Sequence, residues 1–470
     1  MALAAFYRGF AGLRKGEGMK KQRISISTTN IILLSFLLAI LIGTILLSLP
    51  ISSADGKAVP FLDALFTATT STCVTGLVVV PTVSAWSVFG QAVILLLIQI
   101  GGLGVITIMS CIMILLNKKM GIGDRLLLQD AFNLNSLSGI VQFVKKVVLG
   151  TFIVEGAGAL LYMTVFVPEF GLKGIWISVF TAISAFCNAG IDIIAENSLC
   201  GYATNPVING VTCALIILGG LGYIVWWDVI RVMSGKTKRR GGFFRKLTLQ
   251  SKIAIVATLS LILVGAALIF AFEYNNPLTL GEHSLGNKIQ ISFFQSVTTR
   301  TAGFATVPQE NLTDAASFVC LLLMFIGGSP VGTAGGIKTV TIVILAASAF
   351  SLIRNKEDTE LFGRRLAREA ISKAVAVTCM SFIIMFTSTV LLSAVTDASA
   401  MDIMYETVSA TATVGLTRNL TPSLGTVGRC IIIATMYLGR VGPISLAMAF
   451  NRKKQNLNVV RNPVEDVNVG

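Results

Sequence analysis

Four glycines, Gly76, Gly190, Gly303 and Gly415, recur about every 113 residues along the chain. Each closes a short stretch that opens on an aromatic residue: Phe66, Phe180, Phe293 and Tyr405 respectively. Between aromatic and glycine lie small, hydroxylated or apolar residues, as in Phe66-Thr-Ala-Thr-Thr-Ser-Thr-Cys-Val-Thr-Gly76. Glycine brings no side-chain ligand, so the chemistry such loops offer is that of the backbone, with carbonyl oxygens exposed where a Cβ would crowd them. Uncharged oxygen ligands suit a cation that must shed its water in a low-dielectric setting. The candidate ligands are the backbone carbonyls of Val74, Thr75 and Gly76, of Asn188, Ala189 and Gly190, of Thr301, Ala302 and Gly303, and of Thr413, Val414 and Gly415. A lone glycine of this kind would be read as a helix-packing position. Four in register, each behind a helix too short to cross a bilayer, favour a pore.

The surroundings these loops need are those of a membrane protein. Of 470 residues, 54% are hydrophobic and 13% charged, with a mean hydropathy of +0.80. The net charge of +14 fits the positive-inside rule better than nucleic-acid binding. Each repeat is expected to hold a span, a short re-entrant helix, the glycine loop and a second span. The first spans are 31–49, 147–167, 253–272 and 374–395, and the short helices are 60–71, 175–186, 288–298 and 402–411. The second spans are 86–116, 207–231, a run from about Ala315, and 427–450. The expected fold is therefore an all-α polytopic membrane protein of four repeats, with eight transmembrane helices around a central pore. The repeats cover 28–117, 118–233, 234–353 and 354–450, between a basic arm at 1–27 and a tail at 451–470. Most Lys and Arg fall in 1–27, 117–146, 231–252, 350–373 and 451–470, which assigns those segments and both termini to the cytoplasm.

Cys73-Val-Thr-Gly-Leu77, Cys187-Asn-Ala-Gly-Ile191, Thr299-Arg-Thr-Ala-Gly-Phe304 and Thr411-Ala-Thr-Val-Gly-Leu416 resemble the four filter loops of the Trk/Ktr/HKT superfamily of potassium transporters. The nearest resemblance is to the KtrB-like membrane subunit of bacterial Ktr systems, over about residues 28–450. The resemblance implies potassium uptake across the plasma membrane, the bacterial inner membrane, through a potassium-selective filter. A serine at the first glycine accompanies sodium preference in some plant members of that superfamily, and all four positions here are glycine. A sodium-permeable or sodium-coupled transporter of the same fold is the alternative. Arg300, whose counterparts are Cys73, Cys187 and Ala412, would block a cation path if it pointed inward. It is expected to point behind its loop toward a carboxylate.

The second spans carry their own aligned glycines: Gly101-Gly-Leu-Gly104, Gly219-Gly-Leu-Gly222, Gly327-Gly-Ser-Pro330 and Gly439-Arg-Val-Gly442. In repeat three the run Gly327-Gly328-Ser-Pro-Val-Gly332-Thr-Ala-Gly335-Gly336-Ile-Lys338 holds too many helix breakers to remain helical. By resemblance it is a mobile gating loop below the filter, and Arg440 projects into the ion path beside it. The other reading pairs Arg440 with Glu155. Gly332-Thr-Ala-Gly-Gly-Ile-Lys-Thr339 is not a phosphate-binding loop, because Ile337 separates glycine from lysine and no strand precedes it.

No H-E-x-x-H or G-x-S-x-G run points to an enzyme. Potassium is the expected substrate ion, with sodium the second candidate, and no organic cofactor is expected. The resemblance further implies a homodimer seated on a ring of cytosolic nucleotide-binding regulator subunits, docked on basic faces such as Lys236-Thr-Lys-Arg-Arg240. Anionic lipid is the other candidate partner for that basic run. No nucleic acid is expected as a partner.

Overall fold

The computed structural model describes residues 28–115, 121–131, 139–235 and 242–442. The same order of helices occurs four times. The first set is α1 (Thr28–Ser48), α2 (Phe61–Thr72) and the pieces α3 (Val88–Leu103) and α4 (Val105–Leu115), parted at Gly104. The second is α5 (Ile140–Phe170), α6 (Lys173–Cys187), α7 (Pro206–Leu221) and α8 (Tyr223–Met233). The third is α9 (Leu249–Glu273), α10 (Leu285–Thr298), α11 (Asp314–Phe325) and α12 (Thr339–Ile353). The fourth is α13 (Arg368–Ser393), α14 (Ala400–Ala412) and α15 (Thr426–Val441). A two-residue antiparallel hairpin, Glu360–Leu361 with Arg364–Arg365, links the last two sets. The basic arm, the run 236–240 and the tail lie outside the described residues, as does the part of the fourth second span beyond Gly442.

Among the described residues, α1, α5, α9 and α13 are long and apolar enough to cross a membrane, and α7 with α8 makes a fifth candidate if the bent pair is one span. Their outward faces carry large apolar side chains, including Phe152, Leu263 and Phe386, as a helix facing hydrocarbon should. The short helices α2, α6, α10 and α14 have 12, 15, 14 and 13 residues. At about 1.5 Å per residue none reaches the ~30 Å of a hydrocarbon core.

Side-chain caps set where the second helices begin. Ser87, Asn205 and Thr313 each accept from backbone N–H groups in the first turn of α3, α7 and α11. Pro206 at the first position of α7 lacks the N–H that would otherwise go unbonded. Where α7 meets α8 the axis turns by 95° at Gly222. The expected single span 207–231 is thus two helices. Gly222 takes φ +87° and ψ 142°, much as Gly104 takes φ +85° and ψ 134°, and a Cβ on Gly222 would also stand 2.4 Å from Pro330 O of the third set.

Packing closes the sets into a ring. Each long helix packs on its own short helix, and each second helix packs on the short helix of the next set: α3 on α6, α7 on α10, α11 on α14, and α15 back on α2. The short helices and the loops behind them are buried almost throughout, so the core of the molecule is the inside of this ring.

Candidate functional site: a ring of glycine loops

All four short helices end at a glycine loop, so their C-terminal ends, which carry partial negative charge, converge there. In each loop the glycine has positive φ: +98° at Gly76, +63° at Gly190, +83° at Gly303 and +96° at Gly415. So does the residue two before it: Val74 at 56°, Asn188 at 58°, Thr301 at 67° and Thr413 at 52°. In an ordinary extended strand successive residues face opposite ways. The recurring sign change in φ interrupts that alternation and lets neighbouring carbonyls share a side. The left-handed conformation is unfavourable for Val and Thr, at on the order of 1–3 kcal/mol each, and it is held by the rigid helix in front of each loop.

Hydroxyls at the ends of the short helices fix the loops. Gly76 N donates to Thr70 Oγ1 and Gly415 N to Ser409 Oγ, both at 3.0 Å. In the other two sets Ser184 Oγ donates to Ile191 O and Thr298 Oγ1 to Phe304 O. These positioning residues are absent from the sequence-based list; the Ser/Thr content of each stretch was their only signal.

The loops meet in cyclic order. A Cβ built on Gly76 would lie 2.5 Å from Ala189 O, one on Gly190 2.5 Å from Ala302 O, one on Gly303 2.5 Å from Val414 O, and one on Gly415 2.2 Å from Thr75 O. Each glycine is therefore required by a carbonyl of the next set. Among the described residues, the carbonyls of Val74 to Gly76, Asn188 to Gly190, Thr301 to Gly303 and Thr413 to Gly415 accept no hydrogen bond from protein. Backbone carbonyls buried without a donor are costly. Unpaired carbonyl oxygens gathered in this way are the kind of ligand a dehydrated cation takes.

Arg300 is buried and points behind its loop. Contrary to expectation, among the described residues it meets carbonyls and no carboxylate: Nη2 donates to Gly327 O at 3.1 Å and Nη1 to Thr258 O at 3.4 Å. The freed carbonyls of the broken second helix and of α9 take the place of an acid. Glu155 likewise is not the partner of Arg440, since it accepts from Gln99 Nε2 at 3.2 Å beside the Cys187 thiol.

The break in the third set, from Gly327 to Lys338, is irregular as expected, yet it is not loose. Ser329 N donates to Gly220 O, Thr333 N to Gly219 O and Tyr223 N to Val331 O, at 2.8–3.1 Å. Its tip touches the loops above: Thr333 Oγ1 donates to Phe186 O, and Gly335 N to Thr301 Oγ1. Lys338 Nζ donates to Ala334 O at 2.6 Å. Arg440 Nη1 donates to Thr333 O at 2.7 Å and Nη2 to Gly101 O at 2.6 Å, which joins the fourth, third and first sets. Below the ring lies a cavity of about 510 Å³ lined by Gly104, Lys338, Thr411, Gly439 and Arg440 among others.

A family model described as TrkH, cation transport protein, matches residues 11–459. Over 428 residues the chain is 40% identical to Ktr system potassium uptake protein B of Bacillus subtilis, covering 91% of this chain and 94% of that protein. Over 460 residues it is 36% identical to potassium/sodium uptake protein NtpJ of Enterococcus hirae, covering 96% and 99% respectively. The crystal structure of the potassium transporter TrkH from Vibrio parahaemolyticus shares the fold, with a TM-score of 0.72, 16% sequence identity, and coverage of 95% of this chain and 89% of that one. These matches define a membrane transport protein and not an enzyme. The chain belongs to the TrkH family of cation transport proteins, with relatives in the Ktr group.

Proposed function

We propose that this protein takes up potassium across the bacterial plasma membrane, with the four glycine loops as its selectivity filter. The observation that carries this reading is the ring of buried carbonyls without protein donors, each lying against a glycine of the adjacent set. Such a ring replaces the hydration shell of a dehydrated cation, and four converging helix C-termini favour positive charge at its centre. Potassium in the names of both relatives supports the choice of ion. Glycine at all four positions is consistent with it.

The chain in this reading has eight spans in four repeats, with both termini in the cytoplasm. Ions leaving the filter meet the segment Gly327–Lys338, including Gly328, Gly332, Gly335 and Gly336, which acts as a gate. Arg440 latches it through Thr333 O and adds a positive barrier. The transporter works as a homodimer under a cytosolic nucleotide-binding regulator, with the basic run at 236–240 as docking face and anionic lipid at the membrane surface. A second reading, sodium as co-substrate or permeant ion, rests on NtpJ, whose name includes sodium.

Potassium and sodium fluxes in liposomes holding the purified protein, with and without a candidate regulator, test both readings. Potassium uptake well above sodium uptake is expected. Equal fluxes would favour the second reading, and fluxes of neither ion would sink both.

A further inference from the structure

The four sets differ in what holds them in the ring. The long helix of the fourth set has 17% of its apolar window buried, against 33%, 33% and 39% for α1, α5 and α9. With less packing to place it, that quadrant carries charged clamps on both flanks. Arg429 of α15 pairs with Asp63 of α2 in the first set. On the other flank stands Arg418, just beyond Gly415, where the other three loops have Val79, Ile193 and Thr306. The other junctions show no ion pair among the described residues: Trp176 Nε1 donates to Gln91 Oε1 at 2.8 Å and Ser84 Oγ to Glu196 Oε1 at 3.2 Å between the first two sets, and Leu199 N to Ala305 O at 3.0 Å between the second and third.

Arg418 uses its whole fork. Nε donates to Asp402 Oδ1 at 2.8 Å, on the first turn of its own short helix. Nη1 donates to Ser317 Oγ on α11 at 2.7 Å and reaches Gln309 O at 3.2 Å, while Nη2 reaches Glu310 O at 3.3 Å. The side chain is 12% exposed, so these bonds are little screened. Nearby Tyr405 Oη donates to Gln309 Oε1 at 2.9 Å, and Gln309 and Gln295 of α10 are joined through their amides. One guanidinium thus fastens the strand leaving the fourth glycine loop to its own helix and to the third set.

We propose that Arg418 is the positioning residue that fixes the fourth glycine loop at the distance from the third that potassium selectivity requires. The proposal rests on the reading of the loops as a filter. A carbonyl ring discriminates by the number and placement of its oxygens, so outward drift of one quadrant loosens discrimination without closing the path. Lysine keeps the charge but not the fork, and cannot hold Asp402, Ser317 and the two loop carbonyls together.

The test is the potassium-to-sodium flux ratio of liposome-reconstituted Arg418→Gln, Arg418→Lys, Asp402→Asn and Ser317→Ala, each with its thermal midpoint. Arg418→Gln is expected to lower the ratio by roughly tenfold, as loss of several charge-assisted bonds implies. Arg418→Lys should recover part of that loss, and Ser317→Ala should lower the ratio about two- to threefold. The pair Asp402→Asn with Arg418→Gln should be no worse than the worse single change. Arg365→Gln, which breaks an exposed pair with Asp358, serves as the control. A lower thermal midpoint with an unchanged ratio would make Arg418 a structural brace and overturn the proposal. If Arg418→Gln does not fold, Ser317→Ala and Asp402→Asn decide in the same way. Serine at Gly76, Gly190, Gly303 and Gly415 separates the two levels of inference: an unchanged ratio in all four rejects the filter itself, whereas a changed ratio there beside unchanged Arg418 variants rejects only the role of Arg418.

Discussion

At Gly415 a methyl group has nowhere to go, because its Cβ would stand 2.2 Å from Thr75 O and φ is +96°. Serine there must push a carbonyl of the first loop outward or twist its own backbone, and both disturb the ring. We predict that Gly415→Ser, or the same change at Gly76, Gly190 or Gly303, lowers the potassium-to-sodium flux ratio by about tenfold or more. Gly210→Ala, where a Cβ meets nothing within 4 Å, should leave it unchanged. Retention of the wild-type ratio by all four serine variants would mean that the loops do not select. The glycines were plain in the sequence. The left-handed Val74, Thr301 and Thr413 were not, since propensity argues against them and only the ring imposes them.

The broken second helix of the third set illustrates the element scale. Its glycines and Pro330 announce that it cannot be a helix. Where its backbone bonds go instead is a tertiary matter: they go to Gly219, Gly220 and the bend at Gly222 of the neighbouring set. Gly104 and Gly222 interrupt their second helices with nearly the same dihedrals, φ +85° and ψ 134° against φ +87° and ψ 142°, and at Gly222 the axis turns by 95°. In the proposed reading, a segment held by bonds to a neighbour and by Arg440 is released without unmaking the ring. Shortening Gly332–Gly336, or Arg440→Ala, is expected to raise potassium flux several-fold and weaken its dependence on the regulator, with selectivity kept. Abolished flux in correctly folded protein would show that the segment supports the path and does not obstruct it.

For the whole molecule, the cyclic packing of each second helix on the next short helix closes the ring within one chain, so in the proposed reading the path needs no second copy and assembly would serve regulation. The purified protein should behave as a dimer by light scattering. Charge reversal at Arg239 and Arg240, which lie outside the described residues, should weaken capture of the regulator while leaving the dimer intact. Undiminished capture would assign these residues to topology and lipid.

Periodicity alone carried a great deal here. Short helices behind recurrent glycines, and apolar runs of fixed length between basic segments, are local consequences of backbone sterics and of the bilayer, and both can be read along a chain. The partners of Arg300 and Arg440 and the clamp formed by Arg418 could not be read that way. Each depends on which segments the fold brings beside it, and the first two also on carbonyls, Gly327 O and Thr333 O, freed where a helix breaks. A residue type specifies that a guanidinium needs oxygens; only the closed ring decides which oxygens are within reach.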